Sequence, residues 1–495
     1  MMSSNRLRVV VKSKFIEKTL SVCPICLKRI DADIARRGYE YFMDKRCNEH
    51  GYFFTVIWRG VTPAFEAWGN YKAPTDELLP DCPVGCGLCP GHRQKTCCAL
   101  VEVTRRCNLR CPICFADSGT ETQEPTIGEL SKIFKSLADN GNTFVQLSGG
   151  EPTVREDLPE IVAAARSAGC DTVQLNTNGI RLGADSAFTR ALREAGLSFA
   201  FMQFDGLDDD IYRKLRGKPL LDAKLSAIRV CGENMIGVTL VPTIVPGVND
   251  HCIGDIVTFG LKNSPEVRGV HFQPVSYFGR YPSGLSNSDR ITLPEILCAI
   301  ESQTERKFLV TDFSPSSCDH PRCGFHGDFV VLPKMNIMKI RNAGKKQGDT
   351  SADSCCDPEV RGESPTASAK SADSCCDDSH LKNRNYIARR WKRTDDSTGR
   401  LATTDVVNAP TNADAAAEIS KDSVEDTSDD DYGDMDTFLR RIKSHGFTIS
   451  AMAFQDAYNL DITRLRRCSL HVADSTRIVP FCARYLTAVR GGDTD

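Results

Sequence analysis

The sequence predicts an α/β fold: a parallel sheet of six β/α units curled into an open, partial barrel, with cysteine-rich metal-binding extensions at both ends. Three observations predict it. Apolar, strand-like runs alternate six times with amphipathic stretches across residues 99–312. Cysteines crowd the segments on either side of that alternation, and a CxxxCxxC loop follows the first apolar run directly. Right-handed crossovers curl such an alternation toward a barrel, and chemistry in such folds sits at the C-terminal strand ends.

Residues 1–75 read as a small Cys/His module. Cys23 and Cys26 form one pair, and Cys47 and His50 the other. A CxxC…CxxH set matches a closed tetrahedral site for a mononuclear zinc or iron, which would hold a small module together. A cysteine-dense bridge follows at 76–98. It carries a first CxxxCxxC of Cys82, Cys86 and Cys89, set among Pro83, Gly85, Gly87, Pro90 and Gly91 with no strand before it. It reads as a nest for an auxiliary cluster, with Cys97, Cys98 or a distant residue as fourth ligand.

The alternation then begins. Strands are predicted at 99–104, 143–147, 172–176, 198–204, 238–244 and 268–273, and helices at 127–139, 157–168, 185–195, 220–230, 251–262 and near 293–302. The second CxxxCxxC, Cys107, Cys111 and Cys114, lies at the end of the first strand. Three thiolates from one short loop can hold three irons of a cubane and leave the fourth iron open. An open position is what separates a catalytic metal centre from a structural one.

Residues 313–340 and 436–490 read as a C-terminal cysteine-rich region carrying Cys318, Cys323, Cys468 and Cys482, with His471 adjacent. Between them, 341–435 is rich in Ser, Asp, Ala and Thr. Too poor in apolar residues to offset its ordering entropy, it reads as a disordered acidic insert. It repeats Ser-Ala-Asp-Ser-Cys-Cys-Asp at 351–357 and 371–377, which is either a slippage repeat or a soft-metal trap. A basic, aromatic stretch at Arg384–Arg393 reads as charge balance in a solvated linker, or as a contact with anionic headgroups. The isolated Cys170, Cys231, Cys252 and Cys298 read as core.

A formal net charge of -3 over 495 residues gives no pull toward nucleic acid. No run is apolar and long enough for a signal peptide or a bilayer span, so a cytoplasmic setting with reduced thiols is expected. There, 23 cysteines are better explained as metal ligands than as disulfides.

Cys107-Asn108-Leu109-Arg110-Cys111-Pro112-Ile113-Cys114-Phe115 resembles the signature of the radical S-adenosylmethionine (SAM) superfamily. Ser148-Gly149-Gly150-Glu151-Pro152-Thr153, one strand later, resembles its glycine-rich loop. The resemblance implies a [4Fe–4S] cluster on Cys107, Cys111 and Cys114, bound to SAM. It further implies SAM contacts from Gly149, Gly150, Glu151, Asn176 and Asp205, and an electron donor of ferredoxin or flavodoxin type.

Segments 82–92, 245–250, 269–276, 312–315, 318–323 and 467–482 resemble a narrower group. That group holds tetraether lipid synthases and dihydropterin methyltransferases, and it implies one or two auxiliary iron–sulfur clusters, one on Cys82, Cys86 and Cys89 and a second set on Cys318, Cys323, Cys468 and Cys482 of a C-terminal metal-binding region. The leading expectation is a deoxyadenosyl radical that abstracts hydrogen and makes a carbon–carbon bond at an unactivated carbon of a lipid, with possible peripheral membrane contact. The alternative is a radical SAM methyltransferase acting on a small dihydropterin. A third, of another class, is a non-catalytic electron-transfer or metal-sensing protein. A deep apolar channel would favour lipid; converging hydrogen-bonding groups would favour pterin.

Overall fold

The computed structural model describes residues 13–69, 78–79, 81–85, 87–119, 124–316, 318–340, 390–393 and 435–488. The first segment forms an antiparallel sheet of β1 (Lys14–Val22), β2 (Arg29–Arg37), β3 (Glu40–Cys47) and β4 (Gly51–Arg59), in that order. Left-handed glycines make its tight turns, Gly38 at φ 62° and Gly51 at φ 79°. Its buried residues Ile34, Met43, Trp58 and Trp68 belong to the same apolar core as the main sheet.

The main sheet follows the sequence alternation closely. Its units are β5 (Cys98–Thr104), α1 (Ile127–Asp139), β6 (Phe144–Gly149), α2 (Leu158–Ser167) and β7 (Thr172–Thr177). Then come α3 (Ile180–Ala184), α4 (Ser186–Glu194), β8 (Phe199–Gln203), α5 (Asp209–Arg216), α6 (Leu221–Glu233) and β9 (Gly237–Val241). After these come β10 (Thr243–Ile244), α7 (Ile253–Lys262), β11 (Val267–Pro274) and α8 (Leu293–Gln303). Local signals set the helix ends. Thr126 and Glu129 make a reciprocal capping box at the start of α1, and Gly217 at φ 84° stops α5.

The C-terminal part adds β12 (Ser314–Pro315), β13 (Gly324–Val331), β14 (Ile337–Lys339), α9 (Met435–Ser444), β15 (Gly446–Met452), β16 (Leu470–Ala473) and β17 (Ile478–Pro480). The strand order is β12-β13-β15-β11-β9-β8-β7-β6-β5-β16-β17. β15 pairs parallel with β11, and β16 pairs parallel with β5. The C-terminal region therefore flanks the six expected strands on both sides, and residue 312 is no boundary of the sheet. These added strands have no β/α unit of their own, so the periodicity that revealed the others is missing from them.

The insert also departs from expectation. Its duplicated Cys-Cys segments lie outside the described residues, as does most of 341–435. Arg390–Arg393, however, is neither a solvated linker nor placed to meet headgroups. Trp391 is buried, with ring centroids 5.4 Å from Phe199 and 5.3 Å from Phe201. Arg390 pairs with Asp328 at 3.1 Å and Arg393 with Glu266 at 3.0 Å. Net composition hid one indole and two matched charges. Cys170, Cys231 and Cys252 are buried as expected, but Cys298 lies exposed on α8, where no neighbour covers it as core.

Candidate active site

One cavity of about 1380 Å³ runs along the main sheet, lined by Leu100, Gln146, Asn176, Gln203, His271 and Ser450 from six of its strands. Single-ligand pockets usually hold about 300–1,000 Å³, so there is room for a bound group and a substrate together.

Cys107, Cys111 and Cys114 border this cavity, each half-buried. Their loop is pinned from several directions. Cys114 and Arg280 exchange backbone hydrogen bonds of 2.9 and 3.0 Å, and Arg280 Nε donates to Cys111 O at 2.9 Å. Asn178 Nδ2 donates to Asn108 Oδ1 at 2.7 Å. Phe115 stacks edge-on against Tyr485, 4.9 Å away. Burial pushes the Cys107 thiol up to about 11, although the Leu109 N–H donates to its sulfur. A neutral thiol is favoured there until a cation takes the proton's place.

Gly149 and Gly150 line the cavity beside this loop. Their glycine requirement has a local cause. A Cβ on Gly149 would stand 2.0 Å from Thr104 O, and one on Gly150 2.1 Å from Arg106 O. The backbone leading into the cysteine loop occupies that space. Glu151, 2% exposed, ties the next loop down. Its Oε1 accepts from Thr153 N, Thr153 Oγ1 and Thr177 Oγ1 at 3.1, 2.7 and 2.6 Å; its Oε2 accepts from Asn178 N at 2.6 Å. Most of a carboxylate's acceptor capacity is thereby taken up inside the protein.

Asn176 faces the cavity and hydrogen-bonds Gln174 Nε2 at 2.6 Å. Asp205 does not reach it. Fully buried behind the wall, it accepts two 2.7 Å bonds from Arg216 and one of 3.1 Å from Thr243 N. Arg216 is the cavity-lining residue, and it also interacts with the Cys111 thiol. Burial works against its charge, but Asp205 outweighs burial and holds Arg216 protonated. Lys224, fully buried behind it, is pushed by burial down to about 7. Arg216 was missed in the sequence because it closes α5, and nothing in the helix periodicity shows that its guanidinium turns back past Asp205 to the cavity.

A hydrogen-bonding wall lies across three neighbouring strands. His271 on β11 is opposite Ser450 on β15, which is opposite His326 on β13. All three border the cavity, and His271 Nδ1 lies 2.9 Å from Ser450 Oγ. Burial pushes the His271 imidazole down to about 4, so it is neutral near pH 7. Two residues along, Thr448 Oγ1 donates to Asp328 Oδ1 at 2.8 Å. Most of this wall comes from strands outside the six-unit alternation.

The remaining thiols fall into separate places. Cys23, Cys26, Cys47 and His50 bring their ligand atoms within 4.8 Å of one another, as one tetrahedral ion requires. Among the described residues no other set of three or more is so tight. Cys107, Cys111 and Cys114 border the cavity instead. Cys323, Cys468 and Cys482 act electrostatically on one another around Arg464, whose Nη2 donates to Cys323 Sγ at 3.5 Å. Cys318 instead interacts directly with Cys97 beside the cavity. Cys82 is buried and Cys89 half-buried, while Cys86 lies outside the described residues. His471 is held on both sides, Nδ1 by Thr96 Oγ1 at 2.8 Å and Nε2 near His92 Nε2 at 3.1 Å.

This fold and thiol loop match a described class. The radical SAM superfamily pattern matches residues 101–260, and an HMPTM N-terminal zinc ribbon domain matches residues 15–59. The chain belongs to the radical SAM superfamily and is an enzyme, which removes the non-catalytic expectation.

More particularly, it is 34% identical over 490 residues to the 7,8-dihydro-6-hydroxymethylpterin dimethyltransferase of Methanocaldococcus jannaschii. That match covers 94% of this chain and 92% of the relative. The Fe-coproporphyrin III synthase of Methanosarcina barkeri is 34% identical over 210 residues, 41% of this chain and half of its own. Among solved structures, a methylornithine synthase overlaps 43% of this chain and 63% of its own, at 18% identity and a TM-score of 0.36. No helix among the described residues is long and apolar enough to cross a membrane.

Proposed function

We propose that this chain is a radical SAM methyltransferase acting on a dihydropterin or a close heterocyclic relative. The carrying observation is the cavity wall of His271, Ser450, His326, Thr448 and Asp328, which offers hydrogen-bond partners at fixed spacing to a flat polar ring. The near full-length similarity to a pterin dimethyltransferase supports the same reading. The lipid-first expectation gives way to it, because the wall has the converging polar groups that an alkyl chain does not use. Peripheral membrane contact has no observation in its favour.

In this reading the sheet is an open barrel around its cavity, with cysteine-rich extensions at both ends. Cys107, Cys111 and Cys114 hold a [4Fe–4S] cluster, and Gly149, Gly150, Asn176 and Arg216 receive SAM. Glu151 and Asp205 position them. When bound, SAM on such a cluster supplies one-electron chemistry able to remove hydrogen from an unactivated carbon. Cys82, Cys86 and Cys89, with the Cys97–Cys318 pair or the Cys323, Cys468 and Cys482 set, hold one or two auxiliary clusters. Cys23, Cys26, Cys47 and His50 hold zinc or iron. The electron comes from a ferredoxin- or flavodoxin-type donor.

The test is anaerobic turnover of the reconstituted holoenzyme with SAM, dithionite and 6-hydroxymethyl-7,8-dihydropterin. Methylated pterin together with 5′-deoxyadenosine is expected. Deoxyadenosine without methylated pterin would sink the substrate assignment, and no deoxyadenosine from fully loaded protein would sink the radical chemistry.

A further inference from the structure

The cavity extends down the sheet from the cysteine loop. β5 has seven residues from Cys98 to Thr104, so at ~3.3 Å per step its ends, and with them the two ends of the cavity, lie about 20 Å apart. At its far end, under the N-terminal ends of β6 and β8, lies the Trp391 indole. It borders the cavity together with Cys98, Phe144 and Phe201, and packs against Phe199, which does not border it. We propose that Arg390–Arg393 is the floor of the substrate cavity, and that Trp391 sets how large a substituent the substrate can carry. Only the choice of probe below rests on the pterin reading.

Two further features separate a built floor from a chance contact. The sheet leaves room for this segment. A Cβ at Gly237 would stand 2.4 Å from Trp391 O, and one at Gly446 3.2 Å from Arg390 Nη2. Gly237 opens β9 in an ordinary strand, where glycine otherwise weakens pairing, so the approaching backbone explains it.

The segment is also clamped at both ends by groups of the sheet. Arg390 pairs with Asp328, both little exposed, and donates to Phe329 O at 2.7 Å; Arg268 Nε donates to Arg390 O at 2.9 Å. Arg393 donates to Gly232 O at 2.5 Å and pairs with Glu266. Asp328 belongs to the polar wall, so the floor and the wall are joined through Arg390. A compact head group would contact the wall while its substituent runs toward the indole, and a long alkyl chain taking that direction would meet the Trp391 ring.

Equilibrium dialysis of the full-length anaerobic holoenzyme tests this with two probes: 6-hydroxymethyl-7,8-dihydropterin and its 6-octyloxymethyl analogue. Wild type should bind the long analogue about tenfold or more weakly than the short one, and Trp391→Gly should bring that ratio close to one. A folded Trp391→Gly holoenzyme with wild-type iron content and an unchanged ratio overturns the proposal. Should that variant not fold, Trp391→Phe is measured instead; a fall in the ratio of about threefold is expected, and no fall overturns the proposal. If wild type binds neither pterin, the pterin reading has failed and the floor is judged separately. Trp391→Gly should then take up one equivalent of indole that wild type excludes, and absence of uptake overturns the floor.

Discussion

The Cys23–His50 site and the Cys107–Cys114 loop use the same atoms for opposite ends. In the first, four ligand atoms crowd within 4.8 Å, and two of the thiols are buried. Burial is not the whole story there. The backbone of Glu49 and then His50 hold the Cys47 thiol down to about 6, while burial pushes Cys23 up to about 11. In the second, the three thiols border a cavity, and the protein around them supplies the rigidity through Glu151, Arg280 and the Asp205–Arg216 pair. A closed set stabilises a fold and leaves no coordination position over. An open set must be held from behind, which is why its supporting residues are buried ion pairs and shared carboxylates.

The largest expected effect splits the two sites. Cys111→Ser should reduce SAM cleavage to background while the module keeps its one metal ion, read by metal analysis. Cys26→Ser should lose that ion and lower the melting temperature, yet retain cleavage per cluster. Cleavage lost in Cys26→Ser and kept in Cys111→Ser would break the comparison.

A smaller effect concerns the residues behind the open set. Glu151→Ala leaves four donors without their carboxylate and should cost about 3 kcal/mol in denaturant unfolding, with module metal content unchanged. A loss within experimental error would mean that the loops hold themselves.

The smallest sharpens the cavity side. His271 is neutral when folded, with a value near 4 against the usual 6.5. The unfolded chain therefore binds the extra proton first, and stability falls as pH drops from 6.5 toward 4, with no effect above that window. Between pH 6.5 and 5.5 wild type should lose about 1 kcal/mol at most relative to His271→Gln, because cavity water softens the penalty. Parallel pH curves for the two proteins would show that His271 does not titrate as a buried base.

The expected strands and the cysteine loop were legible because both are local. Alternation of apolar residues sets strand and helix over a dozen positions, and β5 to β11 fall within a residue or two of where it put them, apart from a shorter β9 with β10 after it. The Gly149-Gly150 pair was legible as a motif, but that the Thr104–Arg106 backbone is its close neighbour was not. Asp205 was read as a cofactor contact from the family resemblance; Arg216 borders the cavity and Asp205 stands behind it.

The sequence by itself thus determined the chemistry: which thiols share a loop, which are spaced for one ion, and that a repeating β/α pattern carries them. Tertiary structure alone decided which side chains meet at the cavity. Cys97 finds Cys318, Ser450 lies between His271 and His326, and Trp391 arrives from a stretch whose composition looked solvated. Those meetings depend on strand register and crossover between positions more than a hundred residues apart, and a local pattern holds no record of them.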